Sequence, residues 1–238
     1  MKIALVGYGK MGKEIERIAI ERGHNITIII DQNNSEDITS PSFKQADVAI
    51  EFTTPYSALT NIRACVDSNV PVVCGSTGWH DHLAEVTEYV KGRNGALFYA
   101  SNFSLGVNIF FKVNQYLASV MAKFTDYSVE VEEWHHNQKL DSPSGTAITI
   151  AEDILKSYPD KTEWVNQSIT DKSKLGIISI RKGEIPGTHT VSYTNPVDSI
   201  SITHEAKSRQ GLALGAVLAA EFVAGKTGIF TMNDLLAL

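Results

Sequence analysis

Two histidines and a lysine lie close together in one polar segment of this chain, at His135, His136 and Lys139. A histidine titrates near neutral pH and can donate or accept a proton, and an ammonium group can neutralise an anion or deliver a proton. The segment continues into a Ser-Gly-Thr turn at Gly145 and Thr146, where a helix is predicted to begin. Because helix N-termini bind anions, these residues predict a carboxylate cradle beside a proton donor.

Taken one at a time, the same residues have other interpretations. Adjacent histidines can bind a metal ion, but neighbours on a strand point to opposite faces, and no other His, Cys or acid shows zinc-like spacing. We therefore expect no metal. His135 or His136 can equally be a buried, hydrogen-bonded side chain, and Lys139 can be an ordinary solvated lysine. Only their combination with the turn favours a catalytic loop.

A glycine-rich segment near the start of the chain predicts a dinucleotide site. It follows a short apolar strand, opens a helical pattern, and consists of Gly7, Tyr8, Gly9, Lys10, Met11 and Gly12. Its three glycines allow a tight turn, a close backbone approach to a pyrophosphate, and close packing of helix on strand. The second predicted strand ends at Asp31, whose carboxylate can accept hydrogen bonds from ribose hydroxyls.

Asp31 also bears on the choice of cofactor. Its charge would repel a ribose 2′-phosphate and favours NADH, whereas Lys10 can offset that repulsion. We expect NADH to be preferred, or NADH and NADPH both to be used. Two further turns follow predicted strands, where ligands of parallel sheets bind, although ordinary turn chemistry explains them equally well. They comprise Gly75, Ser76, Thr77, Ala100, Ser101, Asn102 and Phe103.

The elements that must position these residues follow two patterns. Strand-like and helical segments alternate as far as about residue 104, which predicts a parallel sheet covered on both faces. Helices at 105–124 and 146–157, an alternating strand at 127–134 and three consecutive strand-like runs come next. We therefore expect an α/β fold: a Rossmann-like parallel sheet, plus a second α+β domain with a mixed or antiparallel sheet. An apolar helix at 211–225 can return to the first domain.

Composition narrows the classes of function. The net charge of −6 argues against a nucleic-acid groove, which needs a basic face. Two cysteines, Cys65 and Cys74, are too few for a secreted disulfide framework, and no apolar run approaches the roughly twenty residues of a membrane span. We therefore expect a cytoplasmic protein without nucleic-acid or membrane partners.

The catalytic-loop segment closely resembles the signature of the 4-hydroxy-tetrahydrodipicolinate (dihydrodipicolinate) reductase family, E-x-H-H-x-x-K-x-D-A-P-S-G-T-A. Residues 133–147 read E-W-H-H-N-Q-K-L-D-S-P-S-G-T-A, and shorter matches follow the family's order at 75–78, 100–108 and 202–209. Four features depart from the family: the glycine loop is shorter, Ser76 replaces a frequent threonine, Ser142 replaces a frequent alanine, and the segment between Tyr158 and Ile177 lacks a T-G-x-R motif. The last departure bears on oligomer contacts and loop closure rather than on the chemistry.

This resemblance implies an enzyme of bacterial lysine and diaminopimelate synthesis that reduces a cyclic dicarboxylate with NADH or NADPH. It implies that His135 donates or accepts a proton and that Lys139 donates one, while His136, Gly145 and Thr146 bind substrate carboxylates. The glycine loop, Asp31 and the two later turns would hold the cofactor. The family implies a homotetramer joined through the second domain, at 105–208, and a dinucleotide-binding domain at 1–104 and 209–238.

Two other classes of function are compatible with parts of the sequence. A semialdehyde dehydrogenase also combines a Rossmann domain with an α/β domain, but it needs a thiolate nucleophile, for which Cys74 at a strand end is better placed than Cys65. A regulator that senses NAD without catalysis would keep the glycine loop and would not need the paired histidines and the lysine.

Overall fold

A computed structural model of the chain describes residues 1–208 and 210–237. Numbered along the chain, the strands are β1 (Lys2–Val6), β2 (Asn25–Ile30), β3 (Val48–Glu51), β4 (Val72–Cys74), β5 (Ala96–Tyr99), β6 (Ser128–His135), β7 (Glu163–Val165), β8 (Lys174–Arg181), β9 (Thr188–Thr194), β10 (Ser199–Glu205) and β11 (Gly228–Phe230). The helices are α1 (Lys10–Glu21), α2 (Pro55–Asp67), α3 (Leu83–Gly92), α4 (Leu105–Met121), α5 (Gly145–Ser157), α6 (Gln210–Val223) and α7 (Met232–Leu236). Short 3₁₀ helices occupy Ser35–Thr39, Phe43–Gln45 and His80–His82.

These elements form two compact units. One consists of Met1–Leu105 together with the described residues from Gln210 onward, and the other takes in the described residues from Gly106. The sequence-based domain boundary at residue 209 lies outside the described residues. None of the described helices is long and apolar enough to cross a bilayer.

The first unit contains a six-stranded parallel sheet in the order β11-β5-β4-β3-β1-β2. Strand β1 lies between β2 and β3. The chain therefore builds the sheet first on one side of β1 and then on the other, and this reversal creates a topological switch point at the carboxyl end of β1. The carboxyl ends of β1, β3, β4 and β5 share one edge of the sheet. The predicted Rossmann-like sheet is confirmed.

Helices cover both faces of this sheet, as the alternation of side chains along its strands requires. On β1, Ile3 and Leu5 pack in one core with α1 and α6, whereas Ala4 and Val6 pack in the other with α2 and α3. Helix α6 is apolar around most of its circumference and buries small residues, so it lies deep in the core of the unit.

The second unit contains a five-stranded mixed sheet in the order β10-β9-β6-β8-β7. Strand β6 runs parallel to β8 and antiparallel to β9, and this confirms the mixed sheet. Alternate residues of β6 are buried, beginning with Val129 and Val131 and continuing with Glu133 and His135. The valines join an apolar core with α4 and α5, and the two polar residues therefore extend the buried face of the same strand.

Three elements were not predicted from the sequence: β7, β11 and α7. The two strands have three residues each, which is too short for an alternating pattern to be recognised. Strand β3 spans only Val48–Glu51, and the residues on either side of it are irregular.

Candidate active site

The predicted pyrophosphate loop lies at the carboxyl end of β1. Helix α1 begins directly after Gly9, which is its N-cap, and no described side chain caps it; its first turn holds no acidic residue. A Cβ atom built at Gly9 would have no described atom within 4 Å. The first-turn N–H groups and this open space suit a phosphate-bearing ligand, so the loop fits a dinucleotide.

The other two glycines of this loop are required by the fold itself. Gly7 has a φ of +99°, and a Cβ atom there would lie 2.1 Å from the carbonyl oxygen of Phe52. A Cβ atom at Gly12 would lie 2.2 Å from the carbonyl oxygen of Gly7. These two positions therefore hold the turn and the helix together, whereas Gly9 is left for a ligand.

The remaining residues of the glycine loop differ in exposure. Lys10 is exposed, and Met11 packs against the core. The hydroxyl of Tyr8 donates a hydrogen bond to Glu16.

Asp31 directly follows β2, is half-buried, and accepts a hydrogen bond from the Asn33 N–H at 2.8 Å. The placement of Asp31 and of these three loop residues at the carboxyl edge of the sheet keeps all four within the predicted cofactor region.

The turn after β4 is braced against the end of β3. The Ser76 Oγ accepts a hydrogen bond from the Thr53 N–H at 2.8 Å, and the ring of Phe52 fills the space beside Gly75, where a Cβ atom would lie 2.0 Å from it. Thr77 is exposed. Gly75 and Ser76 are therefore required by the packing and hydrogen bonding of the turn itself. Thr77 is the member of this turn whose side chain a ligand can contact.

The turn after β5 is fixed by its last residue. Phe103 is 2% exposed, and its ring lies 5.6 Å from that of Phe52 and 5.8 Å from that of Phe98. The Asn102 Oδ1 accepts a hydrogen bond from the Ser104 N–H at 2.9 Å. Of the four predicted residues here, Phe103 can offer a ligand only its backbone; Ser101 is exposed, and Ala100 and Asn102 are half-buried.

Both cysteines are buried, and neither is suited to act as a nucleophile. The thiol of Cys74 donates a hydrogen bond to the buried Glu51 carboxylate at 3.0 Å. Burial and then the charge of Glu51 raise the pKa of Cys74 well above its ordinary value, and burial likewise raises that of Cys65. A thiolate is therefore disfavoured at both positions.

We expect the folded protein to resist iodoacetamide, because alkylation requires an accessible thiolate. Mass spectrometry after brief treatment at pH 7.5 should find the native chain unmodified, and the same treatment in guanidinium should label both cysteines. Rapid labelling of Cys74 in the native protein would contradict this expectation.

In the second unit, Glu133 lies at the centre of the catalytic loop. Its carboxylate is fully buried, and Oε2 lies 3.2 Å from Nδ1 of His135. Oε1 accepts a hydrogen bond from the Ser144 N–H at 3.0 Å and another from Arg181 Nη2 at 3.0 Å. Burial would raise the pKa of Glu133, but the close contact with His135 and the hydrogen bond from the Ser144 N–H outweigh it and hold the pKa well below its usual range.

A third histidine faces this carboxylate from the neighbouring strand. His189 of β9 lies opposite Glu133 in the sheet register and is 4% exposed. Its ring centroid lies 5.1 Å from that of His135, and its Nε2 lies 3.2 Å from the hydroxyl oxygen of Ser144. Burial, together with the neighbouring His135, lowers the pKa of His189 to about 4. His189 is therefore neutral at pH 7.

The start of α5 fits the predicted carboxylate cradle. Ser144 is the N-cap, and its Oγ accepts a hydrogen bond from the Ala147 N–H at 3.2 Å. Gly145 is exposed, no described atom lies within 4 Å of a Cβ built on it, and the first turn carries no acidic residue. Gly145 and the half-buried Thr146 therefore leave room and a favourable field for an anion.

Lys139 and His136 are less buried than His135. Lys139 Nζ lies 2.8 Å from Asp141, and this contact outweighs burial to keep the pKa of Asp141 below its ordinary value. His136 lines a cavity of about 440 Å³ together with Gln138 and Glu184. The structure thus joins His135 to the α5 N-terminus through Glu133, and the neighbouring His136 lines the cavity.

Glu133, His135 and His189 also present three potential metal ligands within 4.8 Å of one another. These three residues show no zinc-like spacing in the sequence, because His189 is far from Glu133 along the chain and the pairing of β9 with β6 brings them together. The Arg181 guanidinium, 3.0 Å from the same carboxylate, opposes a second cation, and Ser144 already contacts His189. These contacts favour a proton-sharing network, and the absence of a metal remains a prediction.

Sequence reasoning assigned no role to four residues of this network: Glu133, Ser144, Arg181 and His189. A usable signal existed for two of them. Glu133 and His189 continue the buried alternation of β6 and β9, so a polar residue stands where the pattern calls for an apolar one. Their meeting depends on the β6–β9 register, which the sequence does not specify.

We expect the protein to lose stability as the pH falls from about 6.5 to 4.5. Unfolded His189 binds a proton in this range and the folded residue does not, which costs about 2–3 kcal/mol by pH 4.5. Below about pH 4.5 the low pKa of Glu133 adds a second loss of the same sign. Urea unfolding at pH 7.0, 5.5 and 4.5 measures the effect.

The variant His189→Gln is the control for this prediction, since the amide can still pair with Ser144 but does not titrate. The slope of its unfolding free energy against pH should be smaller between pH 6.5 and 4.5, by the amount that corresponds to about one fewer proton taken up on unfolding. An unchanged slope would contradict the assignment.

Comparison with known proteins places these observations in one class. Residues 1–103 match the profile described as "Dihydrodipicolinate reductase, N-terminus", and residues 106–236 match its C-terminal counterpart. The 4-hydroxy-tetrahydrodipicolinate reductase of Christiangramia forsetii is 50% identical, with 100% of this chain and 98% of that protein covered. The enzyme of the same name from Staphylococcus saprophyticus is 34% identical, covering 99% and 100%.

A solved structure shares the fold. Dipicolinate-bound dihydrodipicolinate reductase from Paenisporosarcina sp. TG-14 matches with a TM-score of 0.77 at 22% identity, covering 97% of each chain. The protein is thus an oxidoreductase of the Rossmann-type, NAD(P)-binding class. It belongs to the dihydrodipicolinate reductase family. The family resemblance is confirmed, and the semialdehyde dehydrogenase and the regulator are excluded.

Proposed function

We propose that this chain reduces 4-hydroxy-tetrahydrodipicolinate to tetrahydrodipicolinate with NADH or NADPH, in lysine and diaminopimelate synthesis in the cytoplasm. The observation that carries the proposal is the buried Glu133–His135 pair, 3.2 Å apart, whose carboxylate also binds the N-terminus of α5. It supplies a proton-transfer group next to an anion site, which is the pairing that reduction of a dicarboxylate needs.

The first unit holds the cofactor in this proposal, corresponding to residues 1–104 and 209–238. The uncapped start of α1 and the open space at Gly9 support binding of the pyrophosphate. Asp31 at the end of β2 supports recognition of the ribose hydroxyls and therefore a preference for NADH. The exposed Lys10 can pair with a ribose 2′-phosphate, which supports use of both NADH and NADPH. When bound, the nicotinamide supplies the hydride.

The second unit, residues 105–208, binds the substrate. One carboxylate docks on the N–H groups of Gly145 and Thr146. The helix dipole favours an anion there, and Gly145 has no side chain to obstruct it. Lys139 neutralises charge and, with His135, is a proton donor; His136 contacts a substrate carboxylate. The dipicolinate bound to the structural relative supports a small cyclic dicarboxylate as the ligand class.

The protein is a homotetramer in this proposal, assembled through the sheet of the second unit. Strand β10 forms one edge of that sheet and has mostly exposed side chains. Ile200 on this strand is 41% exposed and the nearby Val197 is 88% exposed, which suits a surface covered by another copy.

The decisive experiment follows the loss of absorbance at 340 nm when the purified protein meets substrate generated by the preceding aldol-condensing synthase. NADH and NADPH are compared as kcat/KM in the same buffer. We expect turnover with NADH, or similar turnover with both. An inactive but folded protein would overturn the proposal, and a strong NADPH preference would overturn the interpretation of Asp31.

We expect Gly145→Ala to raise the KM for substrate at least about tenfold while leaving thermal stability unchanged. The added methyl meets no described atom of the protein, so it should obstruct only an anion seated on α5. The KM for the cofactor is the internal control. A variant with normal substrate KM would show that the carboxylate binds elsewhere.

A further inference from the structure

We propose that Glu133 is a positioning residue that fixes the proton of His135 on Nδ1 and the N-terminus of α5 in one hydrogen-bonded unit, which His189 completes. The inference rests on the proposed function, because it assumes that His135 exchanges a proton with the substrate. It assigns a role to two residues, Glu133 and His189, that do not themselves contact substrate.

The first step is the pairing of Glu133 with His135. Glu133 Oε2 and His135 Nδ1 are both buried, and neither makes a hydrogen bond to any other described residue. The two atoms lie 3.2 Å apart. Because an unpaired buried polar atom costs about 1–3 kcal/mol, a proton on Nδ1, within 3.2 Å of the Oε2 atom, is favoured over a proton on Nε2 alone.

The second step concerns the other ring nitrogen. With Nδ1 held by the carboxylate, Nε2 of His135 is the atom left for the substrate. Gly187, at a φ of +156°, lies beside it, and a Cβ atom there would be 3.0 Å from Nε2. The lack of a side chain at Gly187 therefore keeps the reacting nitrogen uncovered.

The third step extends the unit to the anion site. The second oxygen of Glu133 accepts the Ser144 N–H at 3.0 Å, and the Ser144 hydroxyl contacts Nε2 of His189 at 3.2 Å. Ser144 caps the helix whose first residues are Gly145 and Thr146. One carboxylate thus sets the position of both the proton donor and the proposed carboxylate cradle.

Proton balance is simple in this arrangement. Conversion of the 4-hydroxy substrate consumes one hydride and one proton and releases the hydroxyl group as water. The His135 imidazolium supplies that proton from Nε2, and the ring returns to the neutral Nδ1–H form. Glu133 stays ionised throughout and stabilises the imidazolium before transfer. Arg181 from β8, His189 from β9, His204 from β10 and Lys139 from the loop are the other titratable or charged groups near this cluster.

The test has one arm that needs no substrate. In the wild-type protein, ¹⁵N-edited NMR of histidine side chains at pH 7.5 should find His135 protonated on Nδ1, with exchange slowed by burial. In Glu133→Gln this signal should move and lose its protection. A wild-type His135 protonated on Nε2 alone, or ligated by a tightly bound metal, would overturn the proposal whether or not the reductase assay succeeds.

The kinetic arm uses Glu133→Gln, which retains an acceptor for Ser144 but removes the charge. We expect kcat to fall roughly ten- to a hundredfold, with the cofactor KM unchanged and the alkaline limb of the kcat profile displaced to lower pH, because the imidazolium loses its counter-charge. Glu133→Asp should restore the position of that limb in part. A decline in kcat with an unmoved pH profile would reduce Glu133 to a structural role.

Two controls separate this effect from misfolding. Glu130→Gln changes a carboxylate on the opposite face of the same strand and should leave both the NMR signal and kcat unchanged. If Glu133→Gln does not fold, His189→Ala provides the second variant: it removes the contact with the Ser144 hydroxyl and should raise the substrate KM, and a normal KM there would contradict the link to α5.

Discussion

Replacing Lys139 by alanine is expected to lower kcat by at least about two orders of magnitude, the effect of losing a positioned proton donor. The ammonium group lies 2.8 Å from Asp141, and the side chain is 22% exposed, so it is held in place but remains reachable. Its loss also leaves Asp141 unpaired near a dianionic substrate. We therefore expect the substrate KM to rise as well.

Lys139→Arg separates charge from proton delivery. The guanidinium keeps the positive charge but holds its proton far too tightly to act as an acid. The KM should therefore return towards the wild-type value while kcat stays low. Steady-state rates at several pH values measure both, with Lys172→Ala, an exposed site, as the matched control. Recovery of kcat in the arginine variant would mean that Lys139 acts by charge alone.

His135→Ala should lower kcat by a similar factor, since it removes the other proposed donor. Near-full turnover in both His135→Ala and Lys139→Ala would eliminate the proton-transfer roles assigned to the loop.

The second large effect is expected at Gly7, where alanine should severely destabilise the fold. Its Cβ atom would lie 2.1 Å from the Phe52 carbonyl oxygen, and the φ of +99° is strained for any residue with a side chain. Strain and overlap together cost about 3 kcal/mol or more, a large part of the 5–15 kcal/mol that stabilises a typical domain. Thermal unfolding and soluble yield measure the loss.

Gly9→Ala is the matched variant from the same loop. Its backbone is extended, and the added methyl meets no described atom within 4 Å, so the melting temperature should stay within a few degrees of wild type. The KM for NADH should rise at least about tenfold, because the methyl occupies the space left for a pyrophosphate. Equal stability losses in both variants would contradict the division between a folding glycine and a binding glycine.

The sequence predicts most of the first unit because its signals are local. The apolar run of β1, the glycine turn and the amphipathic α1 lie within about twenty residues, and each dictates its own structure. The short strands β7 and β11 escape because three residues carry no period, and they form only by pairing with β8 and β5. Tertiary pairing decides such elements.

The same distinction separates the parts of the candidate site. His135, Lys139, Gly145 and Thr146 are recognisable because they follow one another in a single loop. His189 and Arg181 reach that loop through the registers of β9 and β8 on β6, which no local pattern specifies. Burial of Glu133 was foreseeable from alternation along β6, but its partners were not.

The discontinuous first unit imposes an order on biosynthesis. Helix α6 packs so closely that a Cβ atom at Gly215 would lie 1.7 Å from the Phe103 carbonyl oxygen, and it shares a core with β1 and α1. A ribosome must therefore translate the whole second unit before α6, which covers this face of β1 and α1, is synthesised. Until then, nascent β1 and α1 expose apolar surface that a chaperone, or premature association between neighbouring chains, would cover.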